Sequence, residues 1–227
     1  MAKHSARRPS LGSGKADKTE SIRRKIMQSV VAQVPFDGWT AEAFARGVEQ
    51  AGIDRGVADL HFPGGIRDVI DLFNAMIDAA MQEKISAEPG FARLKVREKV
   101  AFGVRARLEA LAPYREAMRR LVYWYAMPLH VPLGVRRLYR TVDLIWRAAG
   151  DASTDFNFYT KRGLLAGVLK TTMLFWFDDV SPGNRETWAF LDRRIAEVLK
   201  AGKTISLMKE WKPAEIFEMI RKRKFGV

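Results

Sequence analysis

The 227-residue sequence predicts an all-α protein, on three observations. Apolar residues recur every three or four positions from Thr19 onward. No stretch carries the alternation of a half-buried strand or the turn chemistry of a hairpin. Proline and glycine fall where they cut this pattern into helix-length pieces. With 48% hydrophobic residues the chain is long enough to bury a substantial core, as one large domain or one and a half.

The elements follow in order. Residues 1–18, rich in Ser, Gly and basic side chains, offer almost nothing to bury and read as a disordered basic tail. A short mitochondrial presequence is the rival reading of that stretch. Ile22, Ile26, Val30 and Val34 form an apolar stripe at a spacing of four that stops at Pro35 and Gly38. Thr40 caps a second helix that ends at Gly52. Ile53-Asp54 turns into a short third helix, Arg55 to Asp59, followed by His61-Phe62-Pro63-Gly64-Gly65. A long amphipathic helix spans about Ile66 to Ser86, with Val69, Ile70, Phe73, Met76, Ile77 and Ala80 facing inward.

This order is that of a helix-turn-helix domain. With the Phe62-Pro63 corner it resembles the amino-terminal part of the tetracycline-repressor family. The expected architecture is a small helix-turn-helix-like bundle over residues 19–88 and a larger helical bundle over 89–203.

Five more helical stretches lie beyond Pro89-Gly90. They run over residues 93–111, Tyr114 to Met127, Val135 to Ala149, about Phe156 to Phe177, and Trp188 to a stop at Gly202. Pro128 and Pro132 bound one connection, and Ser153, Thr154 and Asp155 offer caps for the fourth of these helices. A last helix, within 204–227, gathers Ile216, Phe217, Ile220 and Phe225 on one side and crowds basic residues, Arg221 and Lys222 among them, at its end. That is the pattern of an interfacial membrane helix; the alternative is a helix docked on its own domain or on a partner, with its basic end favoured by the dipole.

The formal net charge is +13, which predicts attraction to nucleic acid, anionic lipid or an acidic protein. About half of it lies in the tails: residues 1–18 carry five basic and one acidic residue, residues 209–227 six and three. The basic start is followed by no apolar run, so no secretory signal is expected. The apolar stretch Gly163 to Phe177, interrupted by Lys170, is short of the roughly 20 residues of a bilayer span.

Catalytic constellations are hard to find. The chain has no cysteine, and His4, His61 and His130 share no ligand-like spacing. Phosphate-loop, nucleophile-elbow and H-E-x-x-H motifs are missing, as are the Glu-x-x-His pairs of a di-iron bundle. Asp178-Asp179 reads as a solvated turn, and His130, between prolines, as a support for loop geometry. No enzymatic activity and no cofactor or metal are expected.

The second half carries an excess of apolar residues. The run Leu121 to Met127 and the stretch Leu164 to Phe177 cover more than one helix face, so these helices must be buried on most sides. A central core helix, a dimer interface and the wall of a ligand cavity all remain open on pattern alone.

At Ala149 to Arg162 the sequence AGDASTDFNFYTKR resembles the hallmark of the Coq-nine family, lipid-binding accessory proteins of coenzyme Q biosynthesis, with Phe158 where that family has Trp. Flanking stretches agree in order: Val104 to Glu109 with Pro113-Tyr114, Met127 to Pro132, Ser181-Pro182, and Thr187 to Leu191. The resemblance implies a tetracycline-repressor-like homodimer that binds isoprenoid lipids or quinone intermediates in an apolar channel. It also implies presentation of them to the demethoxyubiquinone hydroxylase. By the same resemblance Asp155, Phe158, Tyr159 and Arg162 contribute to the patch that meets the hydroxylase.

Channel residues do not transfer by motif. The pattern selects Trp124, Met127, Leu138, Trp146, Leu165, Val168, Leu169 and Thr172 as lipid-binding. Membrane contact falls to Ile216, Phe217, Ile220, Arg221, Lys222 and Phe225, against an anionic surface. The implied location is cytoplasmic and peripheral, on the matrix side of the membrane in a mitochondrion.

The alternative is a DNA-binding regulator of the tetracycline-repressor type, for which the charge and the amino-terminal helices argue. Its candidate recognition helix offers Arg55 but then Gly56, Val57, Ala58, Asp59 and Leu60, and Asp59 falls unfavourably near phosphates. DNA binding is therefore not expected.

Overall fold

The computed structural model describes residues 13–151 and 156–210, and among them every regular element is helical. The helices are α1 (Ser13–Asp37), α2 (Ala41–Gln50), α3 (Arg55–His61), α4 (Ile66–Ala87) and α5 (Val96–Leu111). They continue with α6 (Arg115–Ala126), α7 (Val131–Ala148), α8 (Phe156–Asp178) and α9 (Arg185–Glu210). Single 3-10 turns at Phe91–Arg93, Ala112–Tyr114 and Pro182–Asn184 make the connections after α4, α5 and α8.

The α1 stripe behaves as its spacing requires: Ile26, Val30 and Val34 are fully buried against the following helices. Pro35 is tolerated in the last turn, and Gly38, at φ +70°, ends the helix in the left-handed conformation that glycine adopts at least cost. Thr40 accepts a hydrogen bond from the Ala43 N–H at 3.1 Å and caps α2. Asp54 does the same for α3 through Val57 N–H. Phe62 closes the corner after α3, buried and edge-on to Phe44 at 6.1 Å.

α4 links the two halves. Its Phe73 meets Trp39 on one side and Tyr114 on the other, with ring centroids 5.6 and 5.5 Å away. One hydrophobic core consequently runs from Ile26 in α1 to Leu191 in α9, across the division drawn at residue 88. α5 and α7 approach closely because position 103 is glycine: a Cβ there would lie 2.8 Å from Ile145 Cγ2. Beneath that contact Arg107 pairs with Asp78, both buried, and Thr141 donates to the same carboxylate at 3.0 Å. Burial pulls the Arg107 guanidinium pKa down, and Asp78 works against that pull.

Several boundaries differ from those read in the sequence. α1 begins at Ser13, so the last six residues of the stretch read as a disordered tail are helical. α7 begins at Val131 rather than Val135, because Pro132 sits in the first turn, where its missing N–H costs no hydrogen bond. α9 continues through Gly202 to Glu210. A glycine inside a helix costs about 1 kcal/mol relative to alanine, too little to stop it. The boundary placed at residue 203 thus falls inside α9, while Ile216, Phe217, Ile220, Arg221, Lys222 and Phe225 lie outside the described residues. Among the described residues no helix is long and apolar enough to cross a membrane.

Candidate functional site

α8 is the axis of the larger bundle. Leu165, Val168, Leu169, Met173 and Trp176 are buried, while Leu174 and Phe175 emerge on another face. Phe175 stacks there on Phe190 of α9 at 4.6 Å. Two cavities flank this helix.

The larger, about 610 Å³, lies between α5, α7, α8 and α9. Its walls are apolar, with Val96, Val100, Leu165, Val168, Ile195 and Val198 among them, and Trp146 forms part of one side. Polar groups collect where α7 ends and α8 begins: Asp151 and Lys161 both line the cavity. The Trp146 indole N–H donates to the Lys161 carbonyl at 3.1 Å, and the Lys161 ammonium donates to Asp151 at 2.7 Å.

Arg162 organises that end. It is 2% exposed, donates to Asp143 at 2.7 Å and to Asp151 at 3.0 Å, and lies 3.4 Å above the Phe158 ring. Two carboxylates and an aromatic face therefore hold a buried guanidinium without leaving it uncompensated. Phe158 in turn meets Tyr159 edge-on at 5.2 Å and Tyr139 of α7 at 6.5 Å.

The smaller cavity, about 280 Å³, is bounded by α4 to α8. Val122, Leu138, Leu169 and Met173 supply apolar wall, and Asn74, Arg107, Tyr125 and Thr141 supply polar groups. The Asn74 amide donates to the Tyr125 hydroxyl at 3.2 Å. Burial pushes the Tyr125 phenol up to about 12, so it is protonated at neutral pH.

Elsewhere, α3 is poorly arranged to meet phosphates. Arg55 donates to Asp59 at 2.9 and 3.1 Å and packs its guanidinium over Phe44. The Asp178-Asp179 pair is not the solvated turn that was expected. Asp178 is exposed and pairs with Arg119, but Asp179 is buried and accepts from Ser181 N–H, Thr187 N–H and the Thr187 hydroxyl. Burial alone would raise the Asp179 carboxyl; these hydrogen bonds outweigh it and hold the group far below its ordinary range. Among the described residues no group of three or more His, Asp or Glu is placed to hold a metal ion.

A family model described as COQ9 matches residues 131–202 of this chain, which takes in α7, α8 and most of α9. The protein named ubiquinone biosynthesis protein COQ9, mitochondrial, from Rattus norvegicus is 34% identical over 196 residues, 84% of this chain and 62% of the rat protein. The chain is similar to the COQ9 family over most of its length. The similarly named Drosophila melanogaster protein is 33% identical over 189 residues, covering 82% of this chain and 58% of its own length. The Homo sapiens COQ9 protein is 32% identical over 196 residues, covering 84% and 61%. This chain thus spans about three-fifths of the length of the curated COQ9 relatives it matches. In fold it is tetracycline-repressor-like: a crystal structure of the TetR transcriptional regulator from Nitrosomonas europaea superposes with a TM-score of 0.64 at 22% identity. That likeness covers 79% of this chain and 98% of the regulator.

The COQ9-family motif sits at the polar end of the larger cavity, and its residues divide by depth. Tyr159 is exposed, Phe158 half-buried and Arg162 buried, so Arg162 is a clamp under the patch rather than part of its surface. Asp155 lies outside the described residues. Of the positions read as lipid-binding, Trp146, Leu165 and Val168 line the larger cavity, and Leu138 and Leu169 the smaller. Trp124, Met127 and Thr172 line neither. Trp124 stacks flat on His130 at 3.6 Å, Met127 is half exposed, and Thr172 is fully buried with its hydroxyl unpaired. The sequence reading missed the walls from α5 and α9, and also Asp143, Asp151 and Tyr139. Asp151 had a signal, since it lies inside the motif; Val96 and Ile195 had none, being ordinary positions on amphipathic helices.

Proposed function

We propose that this chain is a non-enzymatic carrier that binds an isoprenoid or quinone lipid and presents it to a membrane-associated hydroxylase of ubiquinone biosynthesis. The observation that carries the reading is the larger cavity: apolar walls from four helices, a cluster of polar groups at one end, and the family motif at that end. The names of the relatives place them in ubiquinone biosynthesis, and a tail of that chemistry needs such walls. Each methylene removed from water contributes roughly 0.8 kcal/mol, so an apolar chamber competes with the bilayer for a polyprenyl chain. Exposed Tyr159, backed by Phe158 and Tyr139, is the contact offered to the hydroxylase, and Asp155, outside the described residues, is assigned to the same contact. Leu174 and Phe175, partly exposed on α8, support assembly as a homodimer. The terminal residues 213–225, with their basic end, reach the anionic membrane surface in this account.

The repressor reading draws on the fold and the net charge of +13. Asp59 occupies Arg55 on the short helix that would have to read bases, which argues against DNA as the partner.

The test is mass spectrometry of lipids that co-purify with the protein, beside a basic protein of similar charge. Selective recovery of isoprenoid quinones or their precursors is expected, with recovery reduced in Val168→Trp, which puts an indole into the larger cavity. Equal recovery from both proteins, or salt-sensitive binding to operator DNA instead, would overturn the carrier reading.

A further inference from the structure

The corner between α6 and α7 exposes a run of large apolar side chains that the carrier reading does not use. Tyr123 and Met127 sit one turn apart on α6 and just beyond it, at 67% and 51% exposure. Leu129, at the tip, is 75% exposed, and Val131 and Val135 continue along α7 at 43% and 61%. The corner is not loose. His130 stacks on Trp124 behind it, and His130 N–H donates to the Met127 carbonyl at 2.8 Å, so Leu129 is held outward.

The charge around these residues is one-sided. Residues 117–142 contain five arginines and no aspartate or glutamate. Arg119, Arg120 and Arg137 are paired with carboxylates from outside that stretch. Arg136 and Arg140 are exposed and make no ion pair with any described residue. An apolar stripe beside free arginines, with a tyrosine at its edge, is the composition that settles at a bilayer interface. A second copy of the same corner would bring arginines against arginines, which disfavours self-association here.

We propose that the α6–α7 corner is a membrane-docking face that inserts Leu129, Met127 and Val131 among the lipids of an anionic leaflet while Arg136 and Arg140 meet their phosphates. It is separate in sequence from residues 213–225 and does not depend on a lipid occupying the larger cavity. Val131 and Val135 also line the smaller cavity, so the docking face and that cavity share side chains.

Because the chain has no cysteine, one can be placed at will. Leu129→Cys in the full chain, carrying an environment-sensitive fluorophore, is mixed with phosphatidylcholine vesicles with and without phosphatidylglycerol. Leu60→Cys, exposed on α3, is the control. The expected result is a blue-shifted, brighter emission at position 129 with the anionic vesicles only, and none at position 60. Vesicle affinity should fall on the order of tenfold or more in Arg136→Glu/Arg140→Glu, a variant whose exposed positions leave the helical circular dichroism unchanged. A label at 129 that stays in water while the chain sediments with vesicles overturns the proposal, because another face then does the binding. A shift that needs no vesicle and grows with protein concentration also overturns it and makes the corner a protein contact.

Discussion

The Trp39 indole N–H donates to the backbone carbonyl of Ala117, 3.0 Å away and 78 residues further along the chain. Trp39 belongs to the junction of α1 and α2, and Ala117 to the first turns of α6, so this buried bond ties the helix-turn-helix-like half to the larger bundle. With the Trp39–Phe73–Tyr114 ring contacts it makes the two halves share one core. Trp39→Phe should keep part of the ring packing and lose the bond, at a cost of about 1–3 kcal/mol. Urea denaturation should still show a single transition. Two separated transitions in the parent protein would contradict the shared core.

The Asp78–Arg107 pair gives a second expectation. Arg107→Met leaves a buried carboxylate without its counter-charge and should destabilise by about 3–5 kcal/mol. Asp78→Leu combined with Arg107→Met should recover most of that loss, because both desolvated charges are then gone. A double variant as unstable as the single one would mean that the pair organises the α4–α5–α7 contact in some way beyond charge balance.

Asp179 makes stability depend on pH with a definite sign. Its folded pKa lies below the ordinary 3.8, so the stability it supplies is present above that value and is lost as pH falls through the acid range. Asp179→Asn should be less stable than the parent at neutral pH by about 1–2 kcal/mol, as for a lost helix cap. The gap should narrow as pH drops below the ordinary carboxylate range. A gap that stays constant with pH would show that the charge is not what matters there.

Tyr159 and Arg162 should separate surface from support. Tyr159, 66% exposed, should tolerate alanine within about 0.5 kcal/mol of stability, yet lose hydroxylase binding on the order of thirtyfold if it anchors that contact. Arg162→Ala should unfold the protein more easily as well, since it strands Asp143 and Asp151. Binding measured by surface plasmon resonance and melting measured by circular dichroism distinguish the two. A Tyr159→Ala variant that binds as the parent does would remove the residue from the interface.

Much of this architecture was legible because local rules and tertiary packing agree. The four-residue spacing of Ile22 to Val34 and the Thr40 cap each dictate one outcome, whereas the apolarity of α8 leaves a core helix, a dimer interface and a cavity wall open. Gly202 misled because a glycine is only a weak helix breaker, and Pro132 because a proline near a helix start is harmless. Burial of Arg162 was not readable: an arginine after Tyr159 looks like surface until two aspartates from α7 and the following turn converge on it. The cavity walls on α5 and α9 were hidden for the same reason, since Val96 and Ile195 line a chamber only once four helices surround it. Nor does the pattern on α8 sort Leu165 and Val168, which line the larger cavity, from Leu169, which lines the smaller.

That sorting has a further meaning. Along α7 the lining of the smaller cavity ends at Thr141 and that of the larger resumes at Trp146, with buried Val142 and Ile145 between them. On α8 the same division falls between Val168 and Leu169. Five residues of helix amount to about 7.5 Å, so the partition is roughly the thickness of a side chain or two. In the proposed carrier role such a wall would act as a ruler: a tail would enter up to the length that reaches it, and any surplus would stay at the mouth. Trimming Ile145 would move the end stop, and the permitted length with it.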